Sequence, residues 1–370
     1  MMNRTVLAFF VPLLALAAFF APGCAGTRRA LDAGTGTPDT RTFLLEGAGR
    51  VFVLPLVTPR LGEKEIAIAR RIRPAGYLVL AGAVESRTQF LSLMRSVRGI
   101  DPYGKVRIMI DEEGGRVSRL IPLYGRTASQ RERGLEADTN AERRFAASNA
   151  RRLRSLGIDM VLAPVADVLF EKESRVLKDR AFGGDPGLVS RMVSASLRGY
   201  ADEKFDCVLK HFPGHGSVSG DTHKEGPVLT KPYADLEAKD LLPYRRAAAE
   251  GLPFSIMMSH LVWSGIDPES PASVSFSAIR QARQIPGFQG LILTDDLAMA
   301  AVTNRIALRD TAVRAVAAGA DLLLYSSDWE LVLTAWSNLR TRIEENPDFA
   351  DVMRDCLTRR WEPVGQKRPK

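Results

Sequence analysis

The feature that most constrains the fold of this chain is a regular alternation of short apolar segments with longer amphipathic ones. The short segments are rich in β-branched residues, which is typical of buried strands. The longer segments carry apolar residues at helical spacing and follow capping residues, which predicts helices. The predicted strands are 50–56, 76–81, 106–110, 160–165, 205–209, 254–258, 291–293 and 321–325. The predicted helices are 64–73, 87–97, 141–156, 188–201, 240–249, 277–283, 309–318 and 330–345.

This alternation limits the possible architectures. Strands that are apolar on both faces belong to a parallel sheet that helices cover. About eight strand-helix units in 370 residues favour a closed barrel over an open sheet. The sequence therefore predicts an α/β fold, a single (β/α)8 barrel of the TIM type over 43–350. We expect a tail over 351–370 and no second domain at the carboxyl end.

The first residues resemble an export signal. Arg4 precedes an apolar run over 6–20, and Ala21-Pro22-Gly23 leads directly to Cys24. The run has the length of a signal peptide and is short for a full membrane span. Bacterial lipoproteins are cleaved before such a cysteine and carry lipid on it.

We therefore expect a signal peptide over 1–23 and a flexible tether over 24–42. The protein would then be exported to the cell envelope and anchored in a membrane through lipid on Cys24, on the periplasmic or the outer surface. Ordinary secretion and an uncleaved anchor are the alternatives.

Charge and cysteine content add weaker constraints. The formal net charge is +8, but the basic residues are interspersed with acidic ones rather than grouped in blocks, so we expect no nucleic-acid partner. No glycine-rich phosphate loop follows the first predicted strand, as a dinucleotide fold would require. Cys207 and Cys356 are expected to be buried thiols. The oligomeric state stays open.

Polar residues collect where the predicted strands end. In a parallel barrel the carboxyl ends of the strands form one face, and barrel enzymes place their active sites there. All four histidines of the chain lie in or just after these segments. The polar segments follow the third to seventh strands, at 111–116, 164–167, 210–216, 259–260 and 294–296.

Four strings at these strand ends carry a recognisable pattern. They are Ile110-Asp111-Glu112-Glu113-Gly114-Gly115-Arg116-Val117, Lys210-His211-Phe212-Pro213-Gly214-His215-Gly216, Asp221-Thr222-His223 and Thr294-Asp295-Asp296-Leu297-Ala298-Met299. In order and spacing they resemble glycoside hydrolase family 3, specifically its β-N-acetylglucosaminidase branch. The resemblance covers about 50–327 and implies a β-N-acetylhexosaminidase on the predicted barrel.

The resemblance also implies the catalytic residues. A retaining glycosidase needs a carboxylate beneath the anomeric carbon and a proton donor at the leaving oxygen. Asp295 matches the family nucleophile, which forms a covalent glycosyl-enzyme, and His223, oriented by Asp221, matches the acid and base. An imidazole suits both steps because its ordinary pKa is about 6.5. Asp295 could instead cap the following helix, although Asp296 fits that structural role better.

A second set of residues is implied to bind the non-reducing sugar. Charged side chains make charge-assisted hydrogen bonds to sugar hydroxyls. The set consists of Asp111, Arg119, Arg180, Lys210 and His211. A simple rim ion pair of Asp111 with Arg119 is the alternative. Glu112 and Glu113 are assigned structural roles, and Ala181 stands where the family usually has serine.

The implied substrate is a glycan with terminal β-linked N-acetylglucosamine, from peptidoglycan fragments or chitooligosaccharides. The β-glucosidases of the family generally take their acid/base glutamate from a carboxyl-terminal domain. Because we expect no such domain here, the proton donor would have to lie within the barrel, which favours His223.

Several alternatives remain open. The first is β-glucosidase-like or β-xylosidase-like activity within the same family, and the second is an inactive glycan-binding lipoprotein. The third is a zinc hydrolase that uses His211, His215 and His223, although no His-x-His follows the first strand. Phosphorolysis in place of hydrolysis is also open. We expect neither a metal nor a cofactor.

Overall fold

Eight strands form a closed parallel barrel in the computed structural model, which describes residues 40–100, 106–170, 176–218, 226–326 and 328–359. The strands are β1 (Phe52–Leu56), β2 (Gly76–Val79), β3 (Arg107–Ile110), β4 (Met160–Val161), β5 (Asp206–Phe212), β6 (Ser255–Met258), β7 (Ile292–Thr294) and β8 (Leu323–Leu324). Parallel pairing joins them in the order β7-β6-β5-β4-β3-β2-β1-β8. A parallel bridge between Leu293 and Leu322 joins β8 back to β7. The predicted (β/α)8 barrel is confirmed.

Helices follow the strands and pack against the outside of the barrel. They are α1 (Thr40–Gly47), α2 (Glu63–Ile72), α3 (Arg87–Ile100), α4 (Ile121–Tyr124), α5 (Gln130–Glu136), α6 (Thr139–Arg154), α7 (Pro186–Asp202), α8 (Tyr233–Ala238), α9 (Leu242–Ala249), α10 (Phe276–Arg283), α11 (Ala300–Thr303), α12 (Leu308–Ala318), α13 (Trp329–Glu345) and α14 (Pro347–Thr358). The side chains of Asp138, Asp185 and Ser275 accept backbone N–H bonds at the starts of α6, α7 and α10. Local capping chemistry thus sets where these helices begin.

Short elements shape the loops at the carboxyl ends of the strands. Glu112–Gly114 pairs antiparallel with Val117–Ser118 in the loop after β3. Val228–Leu229 pairs in parallel with Val262–Trp263, which connects the loops after β5 and β6. Single 3-10 turns lie at Ala48–Val51, Ala81–Ala83, His215–Ser217 and Ala272–Val274.

The apolar core has two layers because successive strand residues face opposite sides. In β1, Phe52, Leu54 and Leu56 face the surrounding helices, whereas Val53 belongs to a separate buried cluster inside the barrel. That inner cluster draws on every strand and includes Leu78, Met109, Met160, Leu162, Val208, Met257, Leu293 and Leu324. The barrel interior is therefore filled with side chains, and a cavity can form only above them, at the carboxyl ends.

The carboxyl-terminal boundary differs from the prediction. We placed the end of the barrel domain at residue 350 and a tail over 351–370, but α14 continues to Thr358. Met353, Cys356 and Leu357 on this helix are buried against the barrel core, so the segment to 358 belongs to the fold. Residues 360–370 lie outside the described part of the chain.

The amino-terminal predictions concern mostly residues that the structure does not describe. The signal peptide, Cys24 and the tether as far as residue 39 lie outside the described ranges. Residues 40–42 were predicted as the end of the tether, but they belong to α1, which begins at Thr40. Within those ranges, no helix has both the length and the apolar character needed to cross a membrane. The thiols of Cys207 and Cys356 are buried, as the sequence predicted.

Candidate active site

Above the inner core layer lies a cavity of about 240 Å³ at the carboxyl ends of the strands. Its floor consists of apolar residues of that layer, Leu78, Leu162, Met257 and Leu324. Its walls are polar, and they include all five residues predicted to bind sugar, the predicted nucleophile and one further histidine, which are Asp111, Arg119, Arg180, Lys210, His211, Asp295 and His215. The barrel thus brings polar residues that are far apart in the sequence, from Asp111 to Asp295, together in one place.

Lys210, in β5, lies at the centre of a buried ion cluster. Its Nζ is 2.7 Å from Asp111 Oδ1 and 2.7 Å from Glu113 Oε1, and the lysine side chain is only 2% exposed. Burial alone would lower the pKa of Lys210, but the two carboxylates outweigh it and raise the pKa above its usual value. An ammonium in this position stays charged at neutral pH.

The two carboxylates bind arginines on their other sides. Arg180 forms a two-pronged pair with Glu113, with Nε and Nη2 each 2.8 Å from a carboxylate oxygen, and Arg119 Nη2 is 3.2 Å from Asp111 Oδ2. Burial alone would raise the pKa of both acids, but the neighbouring cations reverse this and leave both below their usual values. All five members of the cluster are therefore ionised together.

Asp167, in the loop after β4, holds His211 in one orientation. Its Oδ2 is 2.7 Å from His211 Nδ1, and its oxygens also accept the backbone N–H groups of His211 at 3.2 Å and His215 at 2.6 Å. Burial would raise the pKa of Asp167, but the two histidines outweigh it and leave the pKa lowered. This network assigns the His211 proton to Nδ1, and Nε2 then faces Arg180 Nη2 at 3.3 Å.

Asp295 follows β7 directly and faces the cavity. Its backbone N–H donates to Met258 O at 2.9 Å, and its Oδ1 accepts the N–H of Asp296 at 2.8 Å. Burial alone would raise the pKa of Asp295, but the imidazoles of His260 and His211, the Asp296 amide and the Lys210 ammonium outweigh it, so its pKa lies below its usual value. Asp295 thus presents an ionised carboxylate to the cavity.

His260 and Asp296 support this position from behind. His260 is fully buried, with Nδ1 2.7 Å from Ser273 Oγ and Nε2 2.8 Å from the carbonyl oxygen of Asp296. Burial lowers the pKa of His260, and because a carbonyl oxygen only accepts hydrogen bonds, Nε2 is the donor to Asp296. Both nitrogens serve the loop structure.

Asp296 was expected to cap the following helix, but α11 starts later and has Met299 at its N-cap position. The carboxylate instead accepts the N–H groups of Ala298 at 3.0 Å and Ser326 at 3.1 Å, and the hydroxyl of Ser326. Asp296 therefore joins the loop after β7 to the loop after β8. It does not cap a helix, because α11 begins only after Met299.

Sequence reasoning missed two residues of the site. Glu113 was assigned a structural role, yet it binds Lys210 and Arg180. The sequence did contain a signal for this role. Successive side chains of a strand face opposite sides, which places Asp111 and Glu113 on one side and Glu112 on the other. Glu112 indeed faces away and accepts the N–H groups of Arg119 at 2.9 Å and Leu120 at 3.2 Å.

Asp167 was noted only as a polar strand end. Its partner His211 lies 44 residues further along the chain, and no local pattern indicates such a pairing. The predicted acid/base pair, Asp221 and His223, lies outside the residues that the structure describes.

A metal site finds no support within the described ranges, where no three His, Cys, Asp or Glu side chains are grouped as metal ligands. His223, the third member of the zinc alternative, is outside those ranges. His211 already uses Nδ1 for Asp167, which leaves only Nε2.

Comparison with known families matches residues 63–347 to the model of the glycosyl hydrolase family 3 N terminal domain. Among curated proteins, the chain is 39% identical to beta-hexosaminidase LpqI of Mycobacterium tuberculosis over 231 residues, which is 60% of this chain and 59% of the relative. It is 34% identical to a beta-hexosaminidase of Methylococcus capsulatus over 296 residues, 78% of this chain and 86% of that protein. The match thus spans less than two thirds of the mycobacterial relative.

Solved structures agree with this result. A glycoside hydrolase family 3 β-N-acetylglucosaminidase from a Paenibacillus species superposes with a TM-score of 0.77 at 26% identity, over 85% of this chain and 61% of that one. The structure of M. tuberculosis LpqI gives a TM-score of 0.75 at 30% identity, over 87% and 95% of the two chains.

Proposed function

The chain belongs to glycosyl hydrolase family 3, and from that premise we propose that it is an exo-acting β-N-acetylhexosaminidase that removes terminal β-linked N-acetylglucosamine with retention of configuration. The observation that supports this most is the cavity itself. An ionised carboxylate, Asp295, faces it from β7, and the ion cluster around Lys210 faces it from β3 and β5.

The two sides of the cavity suit the two tasks of such an enzyme. The cluster of Asp111, Arg119, Arg180, Lys210 and His211 offers donors and acceptors with fixed positions to the hydroxyls of one terminal sugar. Asp295 attacks the anomeric carbon and forms the covalent glycosyl-enzyme. The apolar floor and the small volume suit a single sugar ring, which favours exo action.

The proton donor is His223, with Asp221 orienting its ring. This assignment rests on the Asp221-Thr222-His223 motif in the segment that joins Val218 to Gly226. His223 protonates the leaving oxygen in the first step and removes a proton from water in the second. Phosphate in place of water would give the phosphorolytic variant.

The names of the relatives bear on the substrate. The relatives from Mycobacterium tuberculosis and Methylococcus capsulatus are beta-hexosaminidases, and the Paenibacillus structure is a β-N-acetylglucosaminidase. We propose peptidoglycan fragments or chitooligosaccharides as the natural glycans of this chain.

Export and lipid attachment at Cys24 belong to the same proposal. Incorporation of labelled fatty acid into the wild-type chain, and its absence from Cys24→Ser, tests the anchor. Label on both proteins or on neither contradicts it.

The activity test compares hydrolysis of 4-nitrophenyl β-N-acetylglucosaminide with that of the β-glucoside by the full chain in detergent. We expect a preference for the acetamido sugar and a loss of about 10³-fold or more in kcat for His223→Ala. Lys64→Met is the control, because Lys64 is largely exposed in its pair with Glu330 and does not line the cavity.

A preference for the glucoside would move the enzyme to another branch of the family. Full activity of His223→Ala would remove the proposed donor. Sugar binding without turnover of either substrate would indicate a glycan-binding lipoprotein.

A further inference from the structure

His215 is a cavity residue whose ring has no partner among the residues that the structure describes. The residue is only 3% exposed, and neither Nδ1 nor Nε2 has a hydrogen-bond partner in another described residue. His215 lines the cavity together with His211 and Asp295. Buried polar side chains in folded proteins nearly always have partners, so an imidazole with two open nitrogens needs an explanation.

The other two described histidines provide an internal comparison. His211 contacts Asp167 and Arg180, and His260 contacts Ser273 and the carbonyl oxygen of Asp296. Both rings therefore use both nitrogens within the protein. Only His215 among these three leaves both nitrogens to whatever enters the cavity.

The backbone around His215 is closely packed, so the position of its Cα beside the cavity is fixed. Its own N–H donates to Asp167 Oδ1 at 2.6 Å. Gly214 has a φ of 137°, and a Cβ there would lie 2.8 Å from that of Asp240. A Cβ at Gly216 would overlap the carbonyl oxygen of Val168. Packing on both sides thus fixes the 3-10 turn that begins at His215.

Burial lowers the pKa of His215, which favours the neutral form of the ring, and the carboxylate of Asp167 only partly opposes this. A neutral imidazole offers one N–H donor and one acceptor. It therefore differs from the neighbouring charged side chains of Asp111, Lys210, Arg119 and Arg180, which are suited to hydroxyls.

We propose that His215 is a substrate-binding residue that hydrogen-bonds the 2-acetamido group of the bound sugar and so sets the preference for N-acetylhexosaminides over glucosides. This inference rests on the proposed function. An acetamido group is neutral, carries both an acceptor and a donor, and reaches further than a hydroxyl. A glucoside leaves the buried imidazole unpartnered, and a site built to hydrogen-bond one group discriminates strongly against an analogue that lacks it.

The kinetic test uses the full chain with His215→Leu, which keeps similar bulk without hydrogen bonding, and His215→Gln, which keeps a donor and an acceptor. For Leu we expect kcat/KM on 4-nitrophenyl β-N-acetylglucosaminide to fall about 30- to 100-fold and the value on the β-glucoside to change less than about threefold. His215→Gln should recover part of the preference. Equal losses on both sugars, or no loss on either, would overturn the proposal.

Thermal unfolding of the sugar-free proteins gives a readout that does not depend on activity. Because the free protein leaves the His215 ring unpartnered, His215→Leu should unfold at the same temperature as the wild type or higher. A clear decrease would mean that the ring is held by structural hydrogen bonds, which contradicts the proposal.

Binding separates this proposal from the proposed function. If the wild-type chain cleaves neither substrate, calorimetry with N-acetylglucosamine and with glucose still applies. A preference for the acetamido sugar that His215→Leu abolishes supports the role of His215 even though the hydrolase proposal fails. Equal binding of both sugars by the wild type overturns the role of His215.

Discussion

The two ends of the barrel contain the same kind of chemistry and use it differently. At the amino ends of the strands, Asp159, Asp206 and Asp321 pair with arginines, as Asp111 and Glu113 do at the carboxyl ends. Asp321 binds Arg283 and Arg359 and accepts the N–H of Ile292 at 2.8 Å. Its oxygens join β7, α10 and the end of α14.

At the carboxyl end the ion pairs line a cavity instead. Lys210 and Glu113 are as buried as Asp321, but they lie beside a cavity that Asp295 and His215 line, and neither ring nitrogen of His215 has a partner in another described residue. Buried charge therefore does not identify a functional site by itself. The informative difference is whether the buried polar atoms are all used by the protein.

The largest expected effect is that of Lys210→Met, which tests whether the ion cluster at the carboxyl end serves activity rather than folding. Asp111 keeps Arg119 and Glu113 keeps Arg180, so the fold should survive. The loss of a buried charged donor should lower kcat/KM by about 10³-fold. Kinetics and circular dichroism would measure the two effects.

Lys64→Met is the matched control, because Lys64 is largely exposed in its pair with Glu330. It should change neither activity nor folding. If Lys210→Met unfolds the protein, or if it keeps full activity, the ion cluster at the carboxyl end of the barrel does not serve the active site as proposed.

Asp321→Asn tests the amino end. The change leaves two arginines with a weakened partner at a fully buried site and should cost about 3 kcal/mol of unfolding free energy. Because the site is at the opposite end from the cavity, kcat should stay within about twofold. Urea unfolding and steady-state kinetics provide both numbers.

Asp351→Asn is its control, since Asp351 is exposed in a pair with Arg354 within α14. A large loss of kcat in Asp321→Asn, without a loss of stability, would contradict the assignment of the amino end to stability alone.

The smallest expected effect concerns Asp240, a buried acid near the active-site loop. Burial raises the pKa of Asp240 to about 6, and its bonds to Ser217 and Lys231 only partly oppose this. In the unfolded chain the pKa is about 3.8, so the folded state binds more protons between these values. Stability from this group is therefore lost as the pH rises from about 4 through 6.

Relative to Asp240→Asn, the wild type should lose about 2 to 3 kcal/mol of unfolding free energy between pH 4 and pH 7. Other titrating groups cancel in the difference between the two proteins. A difference that stays flat, or that grows in favour of the wild type as the pH rises, would mean that the ion pair with Lys231 outweighs burial.

Most of the fold could be predicted because its determinants are local. The eight strands and their helices follow from apolar periods and caps, and the boundaries mostly agree within two or three residues. Helix α14 was missed although its signals were present, with Asn346 as the cap and Pro347 in the first turn. The segment was predicted to be a tail because the residues that follow it are rich in lysine and arginine.

The site could be predicted only in part because its determinants are not local. Residues from three of the four recognised strings converge on one cavity, as expected, and the fourth, Asp221-Thr222-His223, lies outside the described residues. Asp167 was missed because it acts through a contact across two strands, and Glu113 because two adjacent glutamates were treated alike although they face opposite sides.

The most direct test of the central claim is to identify the residue that becomes glycosylated. The full chain would be treated with a 5-fluoro derivative of N-acetylglucosaminyl fluoride, which slows the oxocarbenium-like steps, then digested and analysed by mass spectrometry. We predict the sugar on the peptide that contains Asp295, no label on Asp295→Ala, and rescue of that variant by azide with an α-glycosyl azide as product. Sugar on Asp111 or Glu113, or an inverted product from the wild type, would contradict the account.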